Sequence, residues 1–302
     1  HLNREYILKR TADIAELRER IEDMEDILAS RARVKKIIVS ELKSVVEKYA
    51  MPRRSEIIFA DAESDEEALE EIPDYPVHLF FTKEGYFKKI TPQSLRMSGE
   101  QKLKDGDSLL LTVEATNNTD LLFFTDRCQV YKAKAADFED TKASTLGDYV
   151  PSKLHMDAGE SAVYMAVTTD YKGYMLFFFE NGKLAKVDLS AYATKTNRKK
   201  LIKAYCDKFP LAAVRQIAED CELVVQSTAG RILLLNTGAV APKTTKDTQG
   251  VAVMTLKKGH RVAGVRDYRE GEFQKPARYR TRSLPAAGAL LSAEDAGEQL
   301  TL

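Results

Sequence analysis

The chain has 302 residues, 44% of them hydrophobic, with 46 Lys plus Arg against 46 Asp plus Glu and so no net charge. That content supports a sizeable core in one to three domains and excludes a strongly basic protein by composition, while leaving room for charge to segregate locally. Cys128, Cys206 and Cys221 lack C-x-x-C spacing, the four His are far apart, and no apolar run approaches the roughly 18 residues of a membrane span, so a disulfide framework, a zinc site and a membrane helix are not expected.

The chain opens in a helical pattern, with His in place of Met and no signal-peptide pattern, and reads as a piece of a longer protein. Ile7, Ile14, Leu17, Ile21, Met24 and Leu28 recur at steps of 7, 3, 4, 3 and 4, which is the seam of a coiled coil. Ser30 is placed to cap a second helix whose apolar face carries Val34, Ile37, Ile38, Leu42, Val45, Val46 and Tyr49. Met51-Pro52 ends it, because proline lacks the N–H and disfavours helix before it. We therefore expect a helical arm over residues 1–58. An acidic linker over 59–75 follows; within 60–74 there are eight acids and no base.

A repeat begins next. Residues 79–89, 122–132, 176–186 and 224–234 align as apolar strand, tight turn and second strand, with starts 43, 54 and 48 residues apart. Glycine (Gly85, Gly182, Gly230) stands at the turn in three of the four, and Asn181-Gly182 is a strong hairpin signal because both positions tolerate positive φ. The second halves also repeat, at 103–110, 154–163 and 256–265, but the third unit breaks the pattern between Lys208 and Asp220. A period of 40 to 55 residues with about four strands per unit has the arithmetic of a propeller, although the chain has no Trp and no G-H…W-D signature. The repeat region is set at 76–270, and 271–302 is expected to be a closing strand and a flexible tail.

Sequence motifs for catalysis are missing. There is no G-x-x-x-x-G-K-[ST], no G-x-G-x-x-G and no G-x-S-x-G, and no residue is assigned a catalytic role. Charge placement is the remaining signal. Between 174 and 246 there are twelve bases and six acids. Bases also recur on the second strand of each unit, as Lys88 and Lys89, Lys132 and Lys134, Lys183 and Lys186, then Arg231. On a radial repeat, equivalent positions lie on one rim, and a rim of bases follows a bent phosphate backbone without reading sequence. Arg198, Lys199, Lys200, Lys243 and Lys246 from the basic stretch, with Arg96 and Lys102, complete this candidate DNA-binding set.

The order of parts resembles the A subunits of bacterial type IIA topoisomerases, DNA gyrase and topoisomerase IV. Three stretches carry the resemblance: 27–57, like that family's returning coiled-coil helix; 121–131, like its LLFFT-x-x-G-x-x-Y blade; and 248–259, like its T-x-G-V-x-x-[ML]-x-L-x-x-G segment. The resemblance implies a mainly β fold, a propeller-like β-pinwheel of about four or five blades whose neighbours exchange strands, preceded by an α-helical coiled-coil arm. It implies a cytoplasmic, nucleoid-associated protein that binds and bends duplex DNA during ATP-dependent strand passage. Its partners would be an ATPase B subunit together with a second A subunit, with ATP and Mg on other parts of the enzyme and no cofactor in this stretch. The catalytic tyrosine of that family lies upstream of the coiled coil. Gyrase has a Gln-Arg-Arg-Gly-Gly-Lys-Gly box after its first blade hairpin; here 96–102 holds an acid and one glycine, with Arg96 and Lys102 as its bases. This departure makes wrapping doubtful and fits topoisomerase IV, or a degenerate gyrase, better than a wrapping gyrase. The competing expectation is a non-enzymatic protein-interaction scaffold, a propeller-like disc on a coiled-coil stalk. An apolar patch on a disc face would mark it.

Overall fold

A computed structural model describes residues 3–51, 73–97, 100–194 and 199–296. The chain divides into two compact units, 1–68 and 69–302. Most of the expected acidic linker, and Pro52, lie outside the described residues.

In the first unit, α1 (Arg4–Ala29) is capped by Asn3, whose side chain accepts from the Glu5 N–H. It stops at Ser30, which leaves helical geometry at φ −112° and ψ 100°. The Ser30 hydroxyl then accepts from the Arg33 N–H and starts α2 (Arg31–Tyr49). Arg33 reaches back to Asp23 at 2.8 Å and to Asp26, tying the two helices across the break. No residue of either helix is buried, and the seam from Ile7 to Leu28 is at least half exposed apart from Ile7 at 49%.

The second unit is four blades of four strands each. In chain order, β1 (Pro76–Thr82), β2 (Tyr86–Ile90) and β3 (Leu109–Thr116) make the first blade. The hairpin of β4 (Asp120–Thr125) and β5 (Val130–Lys134) opens the second. Two-residue β6 (Asp148–Tyr149) then goes back to pair with β2, before β7 (Ala162–Thr168) returns to pair with β4. The same move recurs. After β8 (Tyr174–Phe179) and β9 (Lys183–Asp188), β10 (Lys200–Leu201) pairs with β5 and β11 (Leu211–Ile217) with β8. After β12 (Glu222–Ser227) and β13 (Arg231–Asn236), β14 (Val251–Ala252) pairs with β9 and β15 (Val262–Asp267) with β12. Last, β16 (Ala289–Leu290) pairs with β13. Every blade thus has three strands of its own unit and an outermost strand from the chain that follows. This is the strand exchange of a pinwheel, and it covers an edge that would otherwise present free N–H and C=O groups. The stretch 208–220, where the sequence repeat breaks, holds the regular strand β11.

The exchange depends on glycine. Gly147, Gly250 and Gly288 each precede the borrowed strand by one residue, all with positive φ. A Cβ there would lie 2.2, 2.4 and 2.6 Å from the carbonyl oxygens of Phe87, Leu184 and Ile232, one equivalent residue in three blades. Only glycine lets the backbones approach this closely. At the hairpin turns, Gly85, Gly182 and Gly230 also have positive φ, and Cys128 takes the same conformation at φ 55°.

Both faces of β4 and β8 are buried, so these strands read as unbroken apolar runs instead of alternating ones. Along β4, Leu121 and Phe123 face the first blade, where Phe123 meets Phe81 at 5.8 Å and Phe87 at 5.9 Å. Leu122 and Phe124 face the third, where Phe124 meets Phe177 at 5.5 Å. Leu176 and Phe178 similarly join the third blade to Leu223 and Val225 of the fourth. The innermost strands β3 and β7, and β11 and β15, contact each other, which places the borrowed strands on the outer edge.

Candidate nucleic-acid interface

The register places Lys89, Lys132 and Lys186 opposite Leu79, Leu122 and Leu176, at one equivalent position of three blades. Their ammonium groups turn inward. Lys89 donates to Asn117 Oδ1 at 2.7 Å and pairs with Asp140 at 3.2 Å. Lys132 donates to the Tyr192 carbonyl at 3.2 Å and Thr194 Oγ1 at 2.9 Å. Lys186 donates to Asp220 Oδ1 at 2.6 Å and the Thr237 carbonyl at 3.2 Å, and lies 4.3 Å from the centre of the Tyr174 ring. Neighbouring Lys88 donates to Gln101, to the Lys102 carbonyl at 2.8 Å and to the Ala143 carbonyl at 3.1 Å.

Lys88, Lys89 and Lys186 are only 1%, 3% and 2% exposed. The expectation that these three line a basic rim is therefore corrected. An ammonium has three donors and no acceptor; here Ala143, Asp140 and Thr237 of the incoming connections satisfy Lys88, Lys89 and Lys186 in part, and Gln101, Lys102, Asn117 and Asp220 supply the rest. These lysines fasten the incoming connection to the blade before it. Burial pushes the Lys88 and Lys132 ammonium groups below the usual lysine range. The fourth blade has Leu234 at this position, packed with Phe273 and Tyr279.

The other sequence candidates divide by exposure. Lys134 is about half exposed and donates to Asn118 Oδ1 at 2.9 Å. Lys183 lies 4.6 Å from the centre of the Phe209 ring. Arg231 donates to the Gly288 carbonyl at 2.8 Å. Lys200 pairs with Asp157 at 2.7 Å, and Lys246 is half-buried. Arg96, Lys102, Lys199 and Lys243 are exposed, and Arg198 lies outside the described residues.

The exposed bases concentrate on the segments that lead the chain onto the preceding blade. Lys132 N–H donates to the Lys199 carbonyl at 2.7 Å, and Lys243 N–H to the Lys186 carbonyl at 2.9 Å. Arg280 forms a parallel bridge with Leu234. Lys203, Arg280 and Arg282, which the sequence candidates left out, lie on these segments. The period of the hairpins did not find them because two-residue borrowed strands have no periodicity of their own. A glycine followed by two strand residues, as at 147, 250 and 288, marks three of the four borrowed strands; β10, beside Lys203, has no such glycine.

Carboxylates brace the same edges. The hydrogen bond from Lys186 holds Asp220 below the usual carboxylate range, Arg280 does so for Glu222, and Tyr279 with Ser292 for Asp295. Because these folded-state values are depressed, the stability they contribute is present above the unfolded values near pH 4 and is lost as pH falls through the folded ones. Thermal unfolding should thus show a falling midpoint between about pH 5 and pH 2, and Asp220→Asn with Glu222→Gln should flatten that decline.

Among the described residues no group of three His, Cys, Asp or Glu is placed to hold a metal, and no helix is long and apolar enough to cross a membrane.

No protein-family model matches the chain. Over 207 residues it is 29% identical to the DNA topoisomerase 4 A subunit of Bacillus subtilis, covering 65% of this chain and 24% of that protein. Over 274 residues it is 25% identical to the DNA gyrase A subunit of Streptomyces coelicolor, covering 85% of this chain and 32% of that protein. Its homologues are the A subunits of DNA gyrase and topoisomerase IV. The chain spans roughly a quarter to a third of the length of these relatives. The crystal structure of the C-terminal domain of DNA topoisomerase IV superposes with a TM-score of 0.57 at 23% identity, over 66% of this chain and 63% of that one. That likeness supports the fold, a four-bladed β-pinwheel behind a helical region. The gyrase and topoisomerase IV homologues are subunits of type II topoisomerases, which are isomerases.

Proposed function

We propose that this chain is the DNA-binding, C-terminal part of the A subunit of a bacterial type IIA topoisomerase. It holds and bends duplex DNA without reading base sequence, and so guides the strand passage that the whole enzyme performs. The observation that carries this reading is the placement of exposed Lys and Arg on the outer, strand-exchanged edges of a pinwheel homologous to these A subunits. Such bases form ion contacts with phosphates, which give affinity but no sequence information. In the whole enzyme, a B subunit that binds ATP and Mg would be one partner and a second A subunit the other, in the bacterial cytoplasm. Because 96–102 lacks the glycine-rich basic box, relaxation and decatenation suit the chain better than wrapping and supercoiling.

On the pinwheel edge the large exposed apolar side chains among the described residues are Leu146 and Tyr149 on the first blade and one each on the others, Ile202, Val251 and Leu290. One or two residues of this kind do not make the broad patch a protein-binding face needs, which favours DNA over the scaffold reading. Duplex binding by the chain, measured against salt, should have a log–log slope of about −3 or steeper, as expected for four or more phosphate contacts, and should vary little with sequence. A flat salt response, or no binding at low salt, would overturn the reading.

A further inference from the structure

We propose that the duplex is held on the outer edges of the second and third blades and not on the first. This deepens the DNA-binding reading above and rests on it.

Each blade edge is covered by the connection of the unit that follows, so the charge of that connection sets the charge of the edge. The connection over the first blade, 135–153, holds four acids and two bases, Lys142 and Lys153; further along, Asp157 and Glu160 turn to Lys200, Thr125 and Tyr131 of the second blade. Asp140 is bridged to Lys89, Asp148 lies in β6, and Asp137 and Glu139 are exposed beside them. The connection over the second blade, 189–210, holds Lys199, Lys200, Lys203 and Lys208 among the described residues, against one acid, Asp207. That over the third, 237–261, holds five bases and one acid, Asp247. On the fourth, 268–296 holds five bases and four acids, and Arg280 is engaged in a two-pronged pair with Glu222 at 2.7 and 2.8 Å.

Arg96 and Lys102 of the first unit, with Glu100, also lie by the first edge, where the Lys102 N–H donates to the Ala143 carbonyl at 2.9 Å, so that edge is close to neutral while the second and third are basic. At physiological salt, exposed charges act over about 8 Å. The first edge therefore gives a phosphate backbone no net attraction, while the second and third attract it. Lys89 neutralises Asp140 and adds no free charge, because its ammonium is buried and paired with it. The fourth edge, with its arginine already paired, contributes less.

The experiment is equilibrium binding of the chain to a duplex of about two helical turns (~20 bp) across a salt series. Lys199→Glu with Lys243→Glu should weaken binding at least tenfold and reduce the salt slope by about 2. Lys142→Glu with Lys153→Glu should leave affinity within twofold. A second measurement needs no variant: on binding, Lys199 and Lys243 should be protected from amine acetylation, and Lys142 and Lys153 should remain reactive. If the first-blade pair weakens binding as much as the other pair, or is protected equally, the proposed path is overturned while DNA binding stands. If the unaltered chain binds no duplex at low salt, the underlying DNA-binding reading falls first.

Discussion

Gly250→Ala is expected to destabilise the pinwheel by on the order of 3 kcal/mol. Two costs combine. The residue has φ +71°, in the left-handed region that costs an L side chain about 1–2 kcal/mol. Its new Cβ would also lie 2.4 Å from Leu184 O and 2.7 Å from Ala185 N. Those are backbone atoms of β9 and cannot rotate away, so the borrowed strand β14 must lift from the blade. Gly259→Ala is the control. Its φ is +83° and nothing lies within 4 Å of the added carbon, so the conformational cost alone, about 1–2 kcal/mol, is expected. Urea unfolding of both variants measures the difference. Equal losses would show that close approach at the exchange point contributes nothing.

Lys186→Glu should cost about 3 kcal/mol. The side chain is 2% exposed and its ammonium is held by Asp220 and the Thr237 carbonyl. A glutamate there would bury a second negative charge beside Asp220 and face an acceptor with no donor. Lys186→Met keeps the length and removes the charge. Asp220 is 42% exposed and regains water, so the loss should be nearer 1 kcal/mol. The informative readout is DNA affinity in the methionine variant. A fastening role leaves it unchanged at temperatures where the variant is folded, whereas a rim contact would reduce it together with the salt slope.

The two cases differ in how far the sequence reveals them. The hairpins at Gly85, Gly182 and Gly230 were legible because turn chemistry is local: a positive φ is needed where glycine stands, and Cys128 marks the fourth turn by its place in the repeat. The apolar runs of β4 and β8 were legible for the same reason. The Ser30 cap was too, because the hydroxyl bonds an amide three residues away. The borrowed strands were not. β6, β10, β14 and β16 have two residues each, below any periodicity. Their partners lie 57 to 71 residues earlier, from Ala289 with Ile232 to Leu201 with Val130. The lysines misled for a related reason. Repetition on the second strand marks an equivalent position, yet it does not say whether that position faces water or the next unit's connection.

The sequence by itself determined the helical arm, the fourfold hairpin repeat and the excess of bases between 174 and 246, since caps, turns and strand composition act over a few residues. Only the tertiary structure decided which bases are free. Strand exchange lays each connection over the preceding blade. It buries Lys88, Lys89 and Lys186 beneath carbonyls and carboxylates, and brings Asp140, Lys199, Lys243 and Arg280 to the edge. A charged side chain takes its role from what lies within a few ångströms of it, and here that neighbour comes from the following unit of the chain.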